Sequence, residues 1–246
     1  MELIAHGIIR LAFSAHVCHE IKTMKMRILV AVFGCLVLFR AAALTENFDR
    51  DGDSGLPAGW KATNGSWSVK SGGLWVKPDG GVASHMVVES AGTGSDVVVS
   101  ARVLIRKHEG SNWLIAGVGI RQSATNYWHL ALIESPPANG GKHSMELLEC
   151  LNGVRNGQSA TDSKLKELQN KHKQFDWEYN HAYLLKIHMT ESKIEGVVSE
   201  PDGVAISRII FELKDPAVRS GTPMLAASQA AAVFDDVHAD VANTGR

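Results

Sequence analysis

Between residues 97 and 105 every second side chain is aliphatic. Val97, Val99, Ala101, Val103 and Ile105 share one side, while Ser100, Arg102 and Arg106 take the other. The pattern returns at 181–189, where Tyr183, Leu185, Ile187 and Met189 oppose Lys186 and His188. Successive side chains of a strand point to opposite faces, so this period of two describes antiparallel strands with one face packed and the other free. No stretch alternates strand with helix, which argues against a Rossmann-like or TIM-barrel chain.

The rest of the chain repeats the theme. Strands are expected at 45–49, 66–70, 73–77, 82–89, 96–106, 113–121, 126–134, 143–150, 181–190, 193–199, 204–213, 223–228 and 232–241. Turn residues fall between them: Ser71-Gly72-Gly73, Asp79-Gly80-Gly81, Asn139-Gly140-Gly141, Asn152-Gly153, Asp202-Gly203 and Ser220-Gly221. About a dozen short strands punctuated this often predict an all-β fold of two antiparallel sheets, a sandwich or barrel. Residues 159–178 (SATDSKLKELQNKHKQFDWE) are polar and Lys-rich, with Leu165 and Leu168 at helical spacing. They read as a long loop carrying one short helix, either a solvated excursion or a lid over a binding face.

The N-terminal region reads as an address. A basic MKMR at 24–27 precedes twelve apolar residues, 28–39, and then Arg40 and Ala41-Ala42-Ala43. This is the pattern of a secretory signal peptide cleaved after Ala43. Twelve residues span about 18 Å as a helix, short of a bilayer core of roughly 30 Å, so no stable membrane span is expected after cleavage. Residues 1–23 do not belong to such a leader, which places the true start at Met24 or Met26. Residues 1–43 are thus leader, residues 44–246 a single domain, and the protein is expected to be secreted, periplasmic or on the cell surface. Cys150 is then the sole thiol of the mature chain, and it reads as a buried, inert one. The 25 Lys and Arg nearly balance the 26 Asp and Glu, which argues against a nucleic-acid partner.

Three stretches carry a resemblance. NFDRDGDSGLPAGW with GSWSVKSGGLWV opens the domain, IAGVGIRQSATNYWHLAL lies at its centre, and YLLKIHM, KIEGVVSEPDG, SGTPML and AAVFDDVHADV close it. Together they resemble the concanavalin A-like lectin/glucanase jelly rolls of secreted bacterial proteins, including laminin-G-like modules and 3-keto-disaccharide hydrolase-type domains. The resemblance covers most of residues 45–241 and implies a jelly-roll β-sandwich. In that group the opening strand lies near the closing one, and the central hairpin lies in the concave sheet. Trp60, Trp67 and Trp75 are expected as core fillers. Phe234 and Val237 should be buried on the closing strand, with Asp235 or Asp236 outward.

Catalytic and metal motifs are weak. Asp49, Asp51 and Asp53 resemble the start of a calcium loop, but Ser54 holds the glycine position of an EF-hand and Trp60 the place of its bidentate Glu. A looser structural Ca2+ site would join Asp49 or Asp51 to Asp235 or Asp236, as jelly rolls resembling this one often staple their terminal strands. Glycosidases need two carboxyls about 5–9 Å apart facing one cleft. Glu146 and Glu149 are three apart on one strand and point to opposite faces, and Glu134 stands alone at a strand end. No H-E-x-x-H, G-x-S-x-G, C-x-x-C or P-loop is present.

A binding face is the positive signal. Parity sends Leu114, Ala116, Val118 and Ile120 inward, and with them Trp128, Leu130 and Leu132. Trp113, Gly117, Gly119, Arg121, Tyr127 and His129 are left outward. Arg102, Lys186 and His188 have the same outward parity in their own strands and would join that face if the strands were neighbours. Glycine positions would let a ligand approach the backbone. Arg102, Arg121 and His129 would donate hydrogen bonds to sugar hydroxyls, with His188 beside them, while Trp113 or Tyr127 would stack. The expected function is a secreted, non-catalytic module that binds a polysaccharide or other glycan on its concave face. Two alternatives stand beside it: a glycoside hydrolase or lyase of the 3-keto-disaccharide hydrolase type using Glu134 or Glu146, and a structural cell-surface module without a small ligand.

Overall fold

In the computed structural model, the described residues are 43–49, 55–77, 79, 83–156, 166–170 and 176–242. The expected leader, Asp51, and the turn at Gly80-Gly81 lie outside them. The described residues build two antiparallel sheets. One contains β1 (Leu44–Glu46), β3 (Ser66–Lys70), β4 (Gly73–Lys77), β6 (Asp96–His108), β11 (Lys166–Asn170), β12 (Ala182–Met189), β13 (Lys193–Ser199), β14 (Ala205–Glu212) and β16 (Ala230–Ala242). The other contains β2 (Trp60–Ala62), β5 (Ser84–Val88), β7 (Leu114–Arg121), β8 (Tyr127–Glu134), β9 (His143–Leu151), β10 (Val154–Asn156) and β15 (Thr222–Ser228). The first runs β11-β14-β13-β12-β6-β16-β4-β3, with β1 also on β16, and the second runs β10-β9-β8-β7-β15-β5-β2.

The period of two explains why the sheets stack. Val97, Val99, Ala101, Val103 and Ile105 of β6 and Tyr183, Leu185, Ile187 and Met189 of β12 enter one core. Leu114, Ala116, Val118 and Ile120 of β7, with Trp128, Leu130 and Leu132 of β8, meet them from the other sheet. Burying a large aliphatic side chain contributes roughly 1.5–3 kcal/mol, so the stacked inner faces are the main source of stability. Shape fit is visible at Gly196 of β13, where a Cβ would come within 2.7 Å of Leu130 Cδ1. The missing side chain makes the hole that this leucine fills across the sandwich. The core also buries polar groups in pairs. Trp128 Nε1 donates to the Val218 carbonyl at 3.1 Å, and the fully buried Glu149 accepts the Val218 N–H at 2.7 Å.

The closing strand shows how parity can be broken. Phe234 and Val237 are both fully buried, although residues three apart in a regular strand face opposite ways. A register shift between Asp235 and His238 absorbs the difference, and Asp236 adopts φ 47° there. Both aspartates are thereby turned away from the core, as expected.

Three expectations fail. No α-helix occurs among the described residues, where only two short 3-10 turns accompany the strands. Within 159–178, where a short helix was expected, residues 166–170 form β11, which pairs antiparallel with β14, while 159–165 and 171–175 lie outside the described residues. A free sheet edge offers a row of backbone partners, and two leucines three apart cannot outweigh it. Trp177, read as part of a solvated loop, is instead buried in the core with its Nε1 donating to the Ile133 carbonyl at 2.9 Å. Of the three early tryptophans, Trp60 is buried, and Trp67 packs on the core edge beside Phe234. Trp75 faces outward, with Lys70 and Arg106 over its ring at 4.7 Å and 5.5 Å.

Candidate functional site

The expected ligand-binding set divides between the two outer surfaces of the sandwich. Arg121, Tyr127 and His129 stand on β7 and β8, pointing away from the core. Arg102 and His188 stand on β6 and β12, which belong to the other sheet. The expectation that all five share a face is therefore corrected. Parity was right for each strand, but strand partnership put the core between them. On its own surface Arg102 pairs with Asp236 at 3.0 Å and His188 with Asp96 at 3.0 Å. Lys186 and His188 line only a shallow hollow with Glu195 and Val197. Trp113 is 43% exposed just before β7. It lies eight residues from Arg121, about 26 Å along an extended strand, so it cannot stack on a sugar held by Arg121.

The register places the remaining groups in one row. Arg121 pairs with Tyr127, Tyr127 with Cys150, and Cys150 with Arg155. The row thus crosses β7, β8, β9 and β10, with an arginine at each end. Strands about 4.8 Å apart put the two arginine Cα atoms roughly 14 Å from each other. A groove of about 420 Å³ lies over this row, lined by Thr63, Asn64, His85, Arg121, Tyr127 and Arg155, among others. Thr63 and Asn64 come from the turn after β2, and His85 from β5. Tyr127 packs edge-on against His85, with ring centroids 5.1 Å apart. Cys150 is a free, buried thiol clustered with Tyr127, Leu148 and Met224.

Deeper on the same face, His129 Nε2 donates to Glu146 Oε1 at 2.8 Å. That carboxylate satisfies the imidazole, and His129 is only 3% exposed, so it is an internal support rather than a groove donor. The glycines are also not a floor for ligand. A Cβ at Gly117 would stand 2.0 Å from the Leu130 carbonyl oxygen, and one at Gly119 would stand 2.4 Å from that of Trp128 and 2.6 Å from Met224 Cε. The neighbouring strand and a methionine already occupy the space, so these glycines serve close strand packing.

Electrostatics distinguish the groove. No Asp or Glu is among its described lining residues. Neither Arg121 nor Arg155 has an ion-pair partner among the described residues, and Arg121 Nε is buried without a hydrogen-bond partner. Burial pushes the His85 imidazole down to about 4, and His129, Arg121 and Arg155 push in the same direction. His85 is thus neutral at neutral pH. The Tyr127 phenol is pushed up, first by burial and next by Cys150, while Arg155 acts against that shift. Sequence reading missed His85, Arg155, Thr63 and Asn64. The outward parity of His85 and Arg155 was available, but their neighbours were not.

A second cluster lies at the far end of β8. Tyr179 donates its hydroxyl hydrogen to Glu134 Oε2. His108 Nδ1 and His143 Nε2 approach the same oxygen at 3.4 Å and 3.7 Å. His143 stacks on Trp177 with centroids 3.9 Å apart and donates from Nδ1 to the Trp177 carbonyl. Burial, followed by Glu134, raises the Tyr179 phenol above its ordinary range. Glu134 therefore has three close polar neighbours. Glu146 is outward beside His129 and Glu149 inward against Val218, so the three acids considered for glycosidic chemistry do not share a cleft. Among the described residues no group of three or more His, Cys, Asp or Glu is arranged to hold a metal ion. Of the expected calcium ligands, Asp51 lies outside the described residues. Asp49 is close enough to Asp235 to contribute to raising it, after burial and Asp236.

No protein-family model and no curated protein matches this chain. Solved structures do. The carbohydrate binding module CBM66 from Bacillus subtilis aligns with TM-score 0.51 and 17% identity, over 74% of this chain and 95% of that one. The CBM2 module of the evolved Dit of Lactobacillus casei BL23 phage J-1 aligns with TM-score 0.55 and 9% identity, over 84% and 97%. The exoplasmic/lumenal domain of VIP36, in a form bound to Ca2+ and Man3GlcNAc, gives TM-score 0.52 and 10% identity, over 84% and 91%. At such identities the likeness establishes the jelly-roll-like β-sandwich fold. Among the described residues no helix is long and apolar enough to cross a membrane.

Proposed function

We propose that this protein is an exported glycan-binding module whose site is the groove over the Arg121–Tyr127–Cys150–Arg155 row. The observation that carries the reading is the groove itself. It sets the Arg121 and Arg155 guanidiniums, neither with an ion-pair partner among the described residues, over a floor that includes Tyr127, with Thr63 and Asn64 on the adjoining turn. A sugar offers hydroxyls for directed hydrogen bonds, and the two guanidiniums supply donors for them. Placement on strands rather than on long loops keeps those partners fixed, which reduces the entropy lost on binding. The fold neighbours, a carbohydrate binding module, a CBM2 module and a domain bound to Man3GlcNAc, support the same class of ligand. The 24–43 segment supports export.

A glycan array probed with the chain lacking residues 1–43 tests the reading. Binding to a defined set of oligosaccharides is expected, with at least a tenfold loss for Arg121→Ala, since a hydrogen bond to a charged donor contributes about 1.5–3 kcal/mol. Failure of the folded wild type to bind any glycan overturns it.

A further inference from the structure

We infer that the groove selects an acidic saccharide, one whose ring carries a carboxylate or a sulfate ester, held between Arg121 and Arg155. This rests on the glycan-binding reading and narrows it. The argument is charge accounting. The cross-strand register brings two guanidiniums to opposite ends of one row, with the Tyr127 ring between them. The described lining contributes no carboxylate to offset them. The nearest outward acid on these strands is Glu146, and its Oε1 is engaged by His129 at 2.8 Å. Three of the other four described arginines have found acids: Arg102 pairs with Asp236, Arg208 with Glu195, and Arg219 with Asp215, while Arg106 donates to Asn180 and lies over Trp75. The two groove arginines have no ion-pair partner among the described residues and share a lining without a carboxylate.

Their field reaches the third basic group of the groove. Arg121 and Arg155 both act on His85, although burial is the larger influence there. A neutral His85 leaves two fixed positive charges over a sheet surface. Two guanidiniums with free N–H groups present donors and charge, and no acceptor. A neutral sugar would use the donors alone, whereas an anionic one would also neutralise the charge. Planar guanidinium forks match carboxylate oxygens two by two and bind sulfate oxygens equally well as donors. Tyr127, only 4% exposed, forms part of the floor between them rather than a stacking platform.

The test is titration calorimetry with matched pairs of probes at low and high salt. The pairs are oligogalacturonate with its carboxyl-reduced form, oligoglucuronate with its carboxyl-reduced form, and a sulfated galactan oligosaccharide with its desulfated form. Wild type and the single variants Arg155→Gln and Arg121→Gln are compared, with circular dichroism to confirm that each remains folded. Arg155 is exposed on the short β10, so its variant keeps the test available if Arg121→Gln does not fold. The expected result is that at least one acidic probe binds on the order of 10- to 100-fold more tightly than its neutral partner. That preference should shrink with added salt and in Arg155→Gln. A carboxylate pair and a sulfate pair that differ in size of effect identify which anion the site takes. Equal affinity within every pair, or a preference that Arg155→Gln leaves intact, overturns the inference while leaving the groove a glycan site. Absence of binding by any probe, acidic or neutral, together with a blank array, removes the glycan reading itself.

Discussion

Acidification should weaken this protein through the imidazole of His85. That side chain is 6% exposed, packs edge-on against Tyr127 and lies within the field of the two groove arginines. Burial, and then His129, Arg121 and Arg155, lower it from 6.5 to about 4. In the unfolded chain the same imidazole titrates near 6.5. Between those values the unfolded state binds a proton that the folded state refuses. Stability is therefore full above pH 6.5 and declines as the pH falls toward 4. At about 1.4 kcal/mol per pH unit, the lowering from 6.5 to about 4 amounts to about 3 kcal/mol by pH 4. Urea unfolding of wild type and His85→Gln at pH 7, 6, 5 and 4.5 isolates this contribution. Wild-type stability should fall more steeply than that of the variant below pH 6.5, the difference in slope approaching about 1.4 kcal/mol per pH unit. NMR should show the His85 ring titrating well below 6.5, and Arg155→Gln should raise its value. Parallel pH profiles for the two proteins, or a His85 midpoint near 6.5, would refute the reasoning.

Two further outcomes test the packing and the division of the two faces. Gly117→Ala should destabilise the fold by about 1–3 kcal/mol or more, because its Cβ would meet the Leu130 carbonyl at 2.0 Å; thermal unfolding reads this, and an unchanged Tm would contradict the close approach of β7 to β8. Arg102→Ala and His188→Ala should leave glycan affinity unchanged and stability within about 1 kcal/mol, since both form surface pairs on the opposite sheet; a loss of binding in either would place the site on the wrong face.

What the linear order of residues determined by itself is the layer structure. Alternation at 97–105, 114–120 and 181–189 decided which side chains are inward, because a strand has only two faces and solvent accepts only one kind of residue. Turn residues marked the strand ends for the same local reason. Tertiary structure decided everything that depends on which strand lies beside which. Arg102 and Arg121 have the same outward parity, yet the core separates them. Arg121 and Arg155 are 34 positions apart, yet register sets them in one row. Gly117 and Gly119 look like an open floor in the sequence and prove to be filled by β8 and Met224. Glu134 meets His143 across the β8–β9 hairpin, but His108 and Tyr179 join it only through distant segments. Local sequence encodes the direction of each side chain, whereas pairing between distant strands is a collective choice made by the whole core, and a binding site is built from that choice.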